Sequence, residues 1–415
     1  MRHLSSTRAL SFIEQAIISA TTFLAMLFFA RTLSKEAWGV FSITIALFHF
    51  SQGFQRALIT IPMITFSPGE DASKANFRFW LKEMHLLTAK ALLLCSFAIL
   101  VGSCLVAEHW INTALTGLLA VLAPHFYYEF IRRTLIQIGR SSVLVHLSWI
   151  YAGVTALAVF FVTQYGQTTL AAAFAYASGA LLASAAGLVI VRQSVSEFDN
   201  HDLQQNQRLH LSVFSKWALF SHFAFSAYVI AIPIILGFAA GPAAVAVLTA
   251  IRNLVQPLNT LLAAIDNVDK PKASREWAER KYQGLFAALS QTRRILLLFG
   301  GSYLLLAALF GVPVLSFIYA GKYDGNMEVL ILWLAIYAAM LVSQPSETGL
   351  FILRKPAQLF KARALSALLG MAVAAAAIPM WAVGGAGLAL LVGWATNAVA
   401  THYFLIREKT LGEIR

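Results

Sequence analysis

The sequence predicts an all-α polytopic membrane protein with about twelve transmembrane helices in two six-helix pseudo-symmetric halves. Three observations predict it. Hydrophobic residues make up 59% of the 415 and charged residues only 12%, a balance outside that of soluble globular proteins. The apolar residues form twelve continuous runs, not the alternating segments of about ten residues that build a barrel. Lysines and arginines gather in alternate connections between those runs.

The runs cover residues 9–30, 39–66, 84–106, 110–131, 142–163, 168–191, 214–238, 242–266, 292–319, 327–351, 358–381 and 384–406. At 1.5 Å per residue, about 20 residues span the ~30 Å hydrocarbon core, so every run is long enough, the longer ones with tilt. Arg2 and Arg8 before the first run resemble a signal peptide, but Glu14 and Gln15 interrupt it early. No small-x-small site follows before Arg31, so the first run is expected to be a retained helix. Cys95 and Cys104 share the third run, about 13 Å apart along a helix and beyond disulfide reach.

The net charge of +12 is topology and not a nucleic-acid patch. With the N-terminus inside, 25 of the 31 Lys and Arg fall in cytoplasmic segments, and the outer loops hold only Arg31, Lys35 and Lys322. That bias places both termini in the cytoplasm.

A polar stretch at 193–215 separates an N-terminal half, 1–192, from a C-terminal half, 216–415. Local patterns recur across it. Ala72-Ser73-Lys74 followed by Phe77, Phe79 and Trp80 matches Ala273-Ser274-Arg275 followed by Trp277 and Tyr282, an offset of 201. Both segments are expected to lie as amphipathic pieces on the cytoplasmic face. The exit of the fourth run, Glu129 to Arg140, matches that of the tenth, Glu347 to Ala357, at an offset of 215 to 218. Six helices return the chain to its starting side, so the halves are parallel repeats about an axis along the membrane normal.

Two arginines lie close to mid-membrane. Arg56 falls about 6 Å to the cytoplasmic side of the midpoint of its run, and Arg252 about 3 Å to the outer side of its own. A charge at that depth costs ~2.5–3.5 kcal/mol by insertion scales, so it needs water or a partner. Under the 201-residue offset Arg252 matches Ser51, and the two are not repeat equivalents.

Arg56 shares one helical face with Ser42, His49, Gln52 and Gly53. Arg252 shares another with Thr249, Asn253, Gln256, Asn259 and Asp266, and Ser11, Glu14, Gln15, Ser19 and Thr22 stripe the first run. Such stripes suit helices facing a hydrated cavity. They equally suit interhelical hydrogen bonding, worth about 0.6 kcal/mol per bond in membranes. Each arginine has a bland reading too, as a structural partner of Glu14 or Asp266 or a side chain that snorkels.

Catalytic signals are absent from the sequence: no phosphate loop, no metal-ligand cluster and no nucleophile motif in context, so neither an enzyme nor a bound cofactor is expected.

The segments Ile251 to Asp266 with Lys270 to Arg275, Ala30 to Gly39, and Glu129 to Arg140 resemble bacterial polysaccharide exporters. The family is the polysaccharide transporter branch of the multidrug/oligosaccharidyl-lipid/polysaccharide (MOP) exporter superfamily, which includes the Wzx-like O-antigen and exopolysaccharide flippases. The resemblance implies a MATE-like fold in the bacterial inner membrane and a lipid-linked oligosaccharide substrate moved by alternating access. It implies no cofactor. Membrane lipids, and glycosyltransferases or a glycan polymerase of the same pathway, are the partners it suggests.

A guanidinium keeps its charge and pairs with phosphate bidentately. Arg56 and Arg252 are therefore the expected diphosphate ligands. His49, Gln52, Asn253, Gln256 and Asn259 are the expected polar lining, and Glu14 and Asp266 the candidates for ion coupling. The alternatives are a multidrug or small-cation exporter of the same superfamily, whose site would be acidic and aromatic, and a non-transporting scaffold for a glycan synthesis complex.

Overall fold

A computed structural model describes residues 2–66, 70–105, 109–195 and 219–413, and the twelve apolar runs are helical where they are described, apart from Thr168, Ile230 and Gln256. No strand occurs among the described residues. The chain divides into two compact units, Met1–His222 and Phe223–Arg415.

The first unit contains α1 (Arg2–Thr32), α2 (Lys35–Gln55), α3 (Phe77–Leu105), α4 (His109–Gln137), α5 (Ser141–Tyr165) and α6 (Thr169–Val195). Ser34 caps α2 by accepting a hydrogen bond from the Ala37 amide at 3.1 Å. After Gln55 the chain continues through a π turn, Arg56–Thr60, into the helix Ile61–Phe66. The core of the unit is α4, which packs against α2, α3 and α6. Two thirds (67%) of its most apolar window is buried, against 17% for α3, whose Leu93 and Leu94 point outward where lipid would lie. The wall formed by α6 approaches its neighbours closely because Ala172, Ala173, Ala180 and Ala183 are fully buried small residues.

The second unit contains α7 (Ala231–Ala240), α8 (Pro242–Val255), α9 (Pro257–Ile295), α10 (Gly301–Tyr319), α11 (Met327–Ile352), α12 (Pro356–Trp381) and α13 (Val383–Glu413). Its core is α13, packed on α11 and α12. Gly241, at φ 79°, turns the chain between α7 and α8, and Pro242 starts α8 at the position where a missing N–H costs nothing. Pro257 cannot donate to the carbonyl four residues back, and the helix breaks at Gln256.

The segment after the eighth run, expected to lie as an amphipathic piece on the cytoplasmic face, is helical. Lys281, at φ 50° and ψ −134°, splits α9 into two arms. Thr292 donates to Asp269 and Lys272 to Gln291, both at 2.5 Å, so the arms run back along each other as a hairpin. The hairpin forms because residues expected to lie on a lipid surface have a protein surface to cover. Ala273, Leu285, Ala288 and Leu289 bury against Leu350 and Leu405, with Trp277 packed on that cluster.

The turns that close α4 and α11 are built alike. In the first, the Gly139 amide donates to Ile136 and the Arg140 amide to Leu135; in the second, Arg354 donates to Phe351 and Lys355 to Leu350. Each is a Schellman cap, whose fifth residue takes the left-handed conformation, Gly139 at φ 73° and Arg354 at φ 54°. All four pairs share an offset of 215, which sharpens the 215-to-218 correspondence read from sequence. Glu129 therefore matches Gln344, and Arg132 matches Glu347.

Ten helical spans among the described residues are long and apolar enough to cross a membrane. The twelve expected crossings lose their separate count in three places. The long span Pro257–Tyr319 runs on through the hairpin, α8 has only 14 residues before its break, and the stretch 35–66 is not among the ten. Both segments that fall short carry one of the mid-membrane arginines.

Candidate functional site

In the first unit, Arg56 is the first residue of the π turn that ends α2. Single π turns recur at functional sites because the extra residue re-aims the side chains around it. Arg56 keeps accessible surface although protein crowds it closely, as for a residue lining a recess. Its side chain makes no hydrogen bond or ion pair among the described residues, but it stands in the fields of Glu129, Arg133 and Arg132.

Those three belong to a buried network. Arg132 forks onto Glu14, Nε to Oε1 at 2.7 Å and Nη2 to Oε2 at 2.9 Å, and Nη2 also donates to Gln15 at 2.5 Å. Glu129 accepts from Arg132 at 3.3 Å and from Arg133 at 2.7 Å. Glu14 is fully buried, 0% exposed. That enclosure is matched by the bidentate guanidinium pair, the strong form of charge-assisted hydrogen bonding. Two carboxylates thus face three guanidiniums, leaving one positive charge over.

The other α2 candidates sort by accessibility. His49 is exposed and Gln52 half-buried, on the same side as Arg56, whereas Ser42 is buried. Gly53 is covered by His222, whose Nε2 donates to the Phe50 carbonyl at 2.8 Å between the rings of Phe50 and Phe54. A Cβ at Gly53 would lie 1.8 Å from the His222 ring. Gln55, not singled out by the stripe, is fully buried, and its amide donates to the Phe126 carbonyl at 2.6 Å.

In the second unit, Arg252 is half-buried one turn before the helix break, its guanidinium 5.9 Å from the centre of the Trp333 ring. Trp333 is held in place by its Nε1–H, which donates to the Leu248 carbonyl at 2.9 Å. Arg252 also lies within electrostatic reach of the Tyr337 hydroxyl. Among the described residues no carboxylate pairs with it. The tyrosines around it are tied to helix carbonyls and amides: Tyr319 donates to Ala250, Tyr303 to Leu254, and Tyr337 accepts from Asn259 at 3.0 Å.

Asn253 is 2% exposed and donates to Tyr319 at 3.4 Å, which makes it a helix-packing contact, not an open surface. Gln256 is half-buried and Asn259 exposed. The backbone of Asp266 lies in α9, but its side chain falls outside the described residues.

Sequence reasoning missed Arg132, Arg133 and Trp333. The arginines were counted as topological charge, although Glu129 at i−3 and i−4 signalled a pair on one helix face. Trp333 carried no signal, since 81 residues separate it from Arg252. No metal-binding cluster of His, Cys, Asp or Glu occurs among the described residues.

No protein-family model matches the chain, and no curated protein sequence matches it. Solved structures do. An inward-facing multidrug resistance MATE family transporter of the MOP superfamily superposes with a TM-score of 0.78 at 12% identity, covering 97% of this chain and 99% of that one. An outward-facing multidrug resistance MATE family transporter gives 0.66 at 13% identity over 99% and 96% of the two chains.

The fold is that of MOP superfamily transporters. The lipid II flippase MurJ, in its inward closed conformation, shares it at a TM-score of 0.67 and 13% identity over 96% of this chain and 86% of that one. The chain is thus a multi-pass membrane protein whose structural neighbours are MOP transporters and a flippase.

Proposed function

We propose that the protein is an inner-membrane flippase. It would carry a polyprenyl-diphosphate-linked oligosaccharide from the cytoplasmic to the outer leaflet for polysaccharide synthesis, with both termini in the cytoplasm. The observation that carries this reading is Arg252, a half-buried guanidinium with no carboxylate pair among the described residues. Its fork is left available for an anion.

Arg56 adds a second guanidinium without a hydrogen bond, beside a network with one surplus positive charge. Either can make a charge-assisted bond of about 1.5–3 kcal/mol to a phosphate oxygen, enough to capture a ligand and weak enough to release it. Gln52 and Gln256, half-buried on the faces that carry Arg56 and Arg252, are polar groups suited to meet the sugars, beside the accessible His49 and Asn259. Alternating access is supported by the fold, since neighbours that share it stand in inward-facing and outward-facing conformations. Membrane glycosyltransferases and a glycan polymerase are the partners that supply and consume such a substrate.

A multidrug or cation exporter is the second reading, favoured by the multidrug neighbours and by the aromatic setting of Trp333 and Tyr337. A transported cation would need that aromatic face, and Arg252 already occupies it. Coupling through Glu14 would require Arg132 to let go of it, so proton or ion exchange there would be linked to a change in the whole Arg132 network.

In cells, Arg252→Ala is expected to reach wild-type membrane levels and to abolish display of the glycan. Normal display would remove Arg252 from the site. Drug efflux that continues in a strain lacking any lipid-linked oligosaccharide would favour the exporter.

A further inference from the structure

A cavity of about 140 Å³ opens in the second unit between the returning arm of α9, α11 and α13. It is too large for a single water, whose share of liquid volume is about 30 Å³. Four polar side chains line it: Ser290, Arg293, Ser346 and His402. Arg293 and His402 are exposed at its mouth, and neither side chain makes a hydrogen bond or ion pair among the described residues.

Ser346, at the floor, is 1% exposed, and its hydroxyl has no hydrogen-bond partner. Its neighbour Ser343 bonds back to the Met340 carbonyl in the ordinary helical way. A buried hydroxyl left open at the bottom of a basic cavity is a donor awaiting an acceptor.

The surroundings state what kind of acceptor fits. Directly beyond Arg293 a second π turn, Leu296–Gly300, exposes Leu297, Leu298 and Phe299, at 54%, 63% and 59%, and α13 exposes Tyr403 beside His402. An apolar, outward-facing lane therefore adjoins a cavity of cationic and hydroxyl donors. Arg294 and Arg407 are exposed at the same end of the unit. Charge bias assigns this end to the cytoplasmic side, where basic pockets between helices take anionic head groups.

We infer that this cavity binds the phosphate of an anionic membrane phospholipid, with its acyl chains along Leu297 to Phe299. Arg293 and His402 hold the phosphate at the mouth and Ser346 donates to it from below. The inference is independent of what the protein transports. It concerns a resident lipid that pins α9 against α11 and α13, at the base of the helical hairpin.

The test uses the purified full-length protein in detergent, followed by thermal unfolding while phosphatidylglycerol is titrated in. Phosphatidylcholine and inorganic phosphate serve as separate arms. Phosphatidylglycerol is expected to raise the unfolding temperature and the other two to leave it unchanged. In Arg293→Gln the phosphatidylglycerol concentration needed should rise at least about tenfold, the loss of one charge-assisted bond. An unchanged titration in that variant overturns the site; an equal response to inorganic phosphate overturns the lipid assignment.

Wild-type protein supplies a check that needs no variant. A photoreactive phosphatidylglycerol should label peptides containing Ser290 to Arg293 or His402, and labelling confined to other peptides would overturn the inference.

Discussion

Arg56 and Arg252 are both guanidiniums that make no hydrogen bond among the described residues, but the units that carry them treat charge in opposite ways. Around Arg56 the charge is largely answered: Glu14 and Glu129 are spent on Arg132 and Arg133, and Arg56 inherits what remains of their field. Around Arg252 the described residues offer only Trp333 and the Tyr337 hydroxyl. An anion would therefore gain more from Arg252, whose charge no carboxylate among the described residues offsets. Arg56, on a π turn at the edge of a network, is better suited to a passing contact.

The difference extends to the paired charges. Under the 215-residue match, Arg132 of α4 stands where α11 has Glu347. Arg132 is bound by Glu14 in a bidentate pair whose side chains are 14% and 0% exposed. Glu347 accepts from Arg363 at 3.2 Å and from Asn397 at 2.7 Å, and that pair is 25% and 20% exposed. The same place in the repeat thus holds a cation in one half and an anion in the other, and the first pair is the more deeply enclosed.

The largest expected effect tests that enclosure. Glu14→Ala removes the bidentate partner of a deeply enclosed guanidinium, leaving it the longer Glu129 contact and Gln15, and should cost about 3 kcal/mol. Its readout is unfolding temperature and yield in the membrane, and wild-type stability would show that water reaches Arg132 freely. Glu347→Ala should cost less, about 1–3 kcal/mol, because Arg363 is partly exposed and rests on the Phe225 ring. If the two variants melt alike, the contrast between the units is wrong.

A smaller change of opposite sign is expected at the Schellman cap of α11. Arg354→Gly relieves a left-handed non-glycine residue and should stabilise by about 1 kcal/mol, giving the second turn the residue the first already has. A decrease in unfolding temperature would show that the Arg354 side chain has a contact worth more than the strain. The smallest effect on stability is expected for Arg56→Gln, within about 0.5 kcal/mol, since the side chain makes no hydrogen bond. Its transport rate should fall less than that of Arg252→Ala; the reverse order would exchange the roles given to the two arginines.

The helices were legible in the sequence because a membrane span needs only length and hydropathy, and both are local. The Pro257 break was legible for the same reason, since proline lacks the donor. The π turn at Arg56 was not, because Arg-Ala-Leu-Ile-Thr carries no breaker. The hairpin about Lys281 was hidden by composition. A basic, aromatic segment reads as interfacial, and only the apolar surface of Leu350 and Leu405 turns it into packed helix.

Glu14 was marked as a candidate for ion coupling, yet its pairing partner Arg132 lies 118 residues away and had been assigned to topology. Asn253 was marked as cavity lining on periodicity alone, and its amide is taken by Tyr319. Periodicity places a residue on a face but does not say what covers that face.

The most direct test of the account is transport by purified protein in vesicles. A polyprenyl-diphosphate oligosaccharide is placed in both leaflets, and its arrival on the outer surface is read by a glycosidase that cannot cross the membrane. The wild type is expected to expose the inner pool well above the rate of protein-free vesicles, and Arg252→Ala, folded and inserted to the same level, is expected to match the protein-free rate. Transport by Arg252→Ala at the wild-type rate would contradict the claim that its unpaired charge carries the diphosphate.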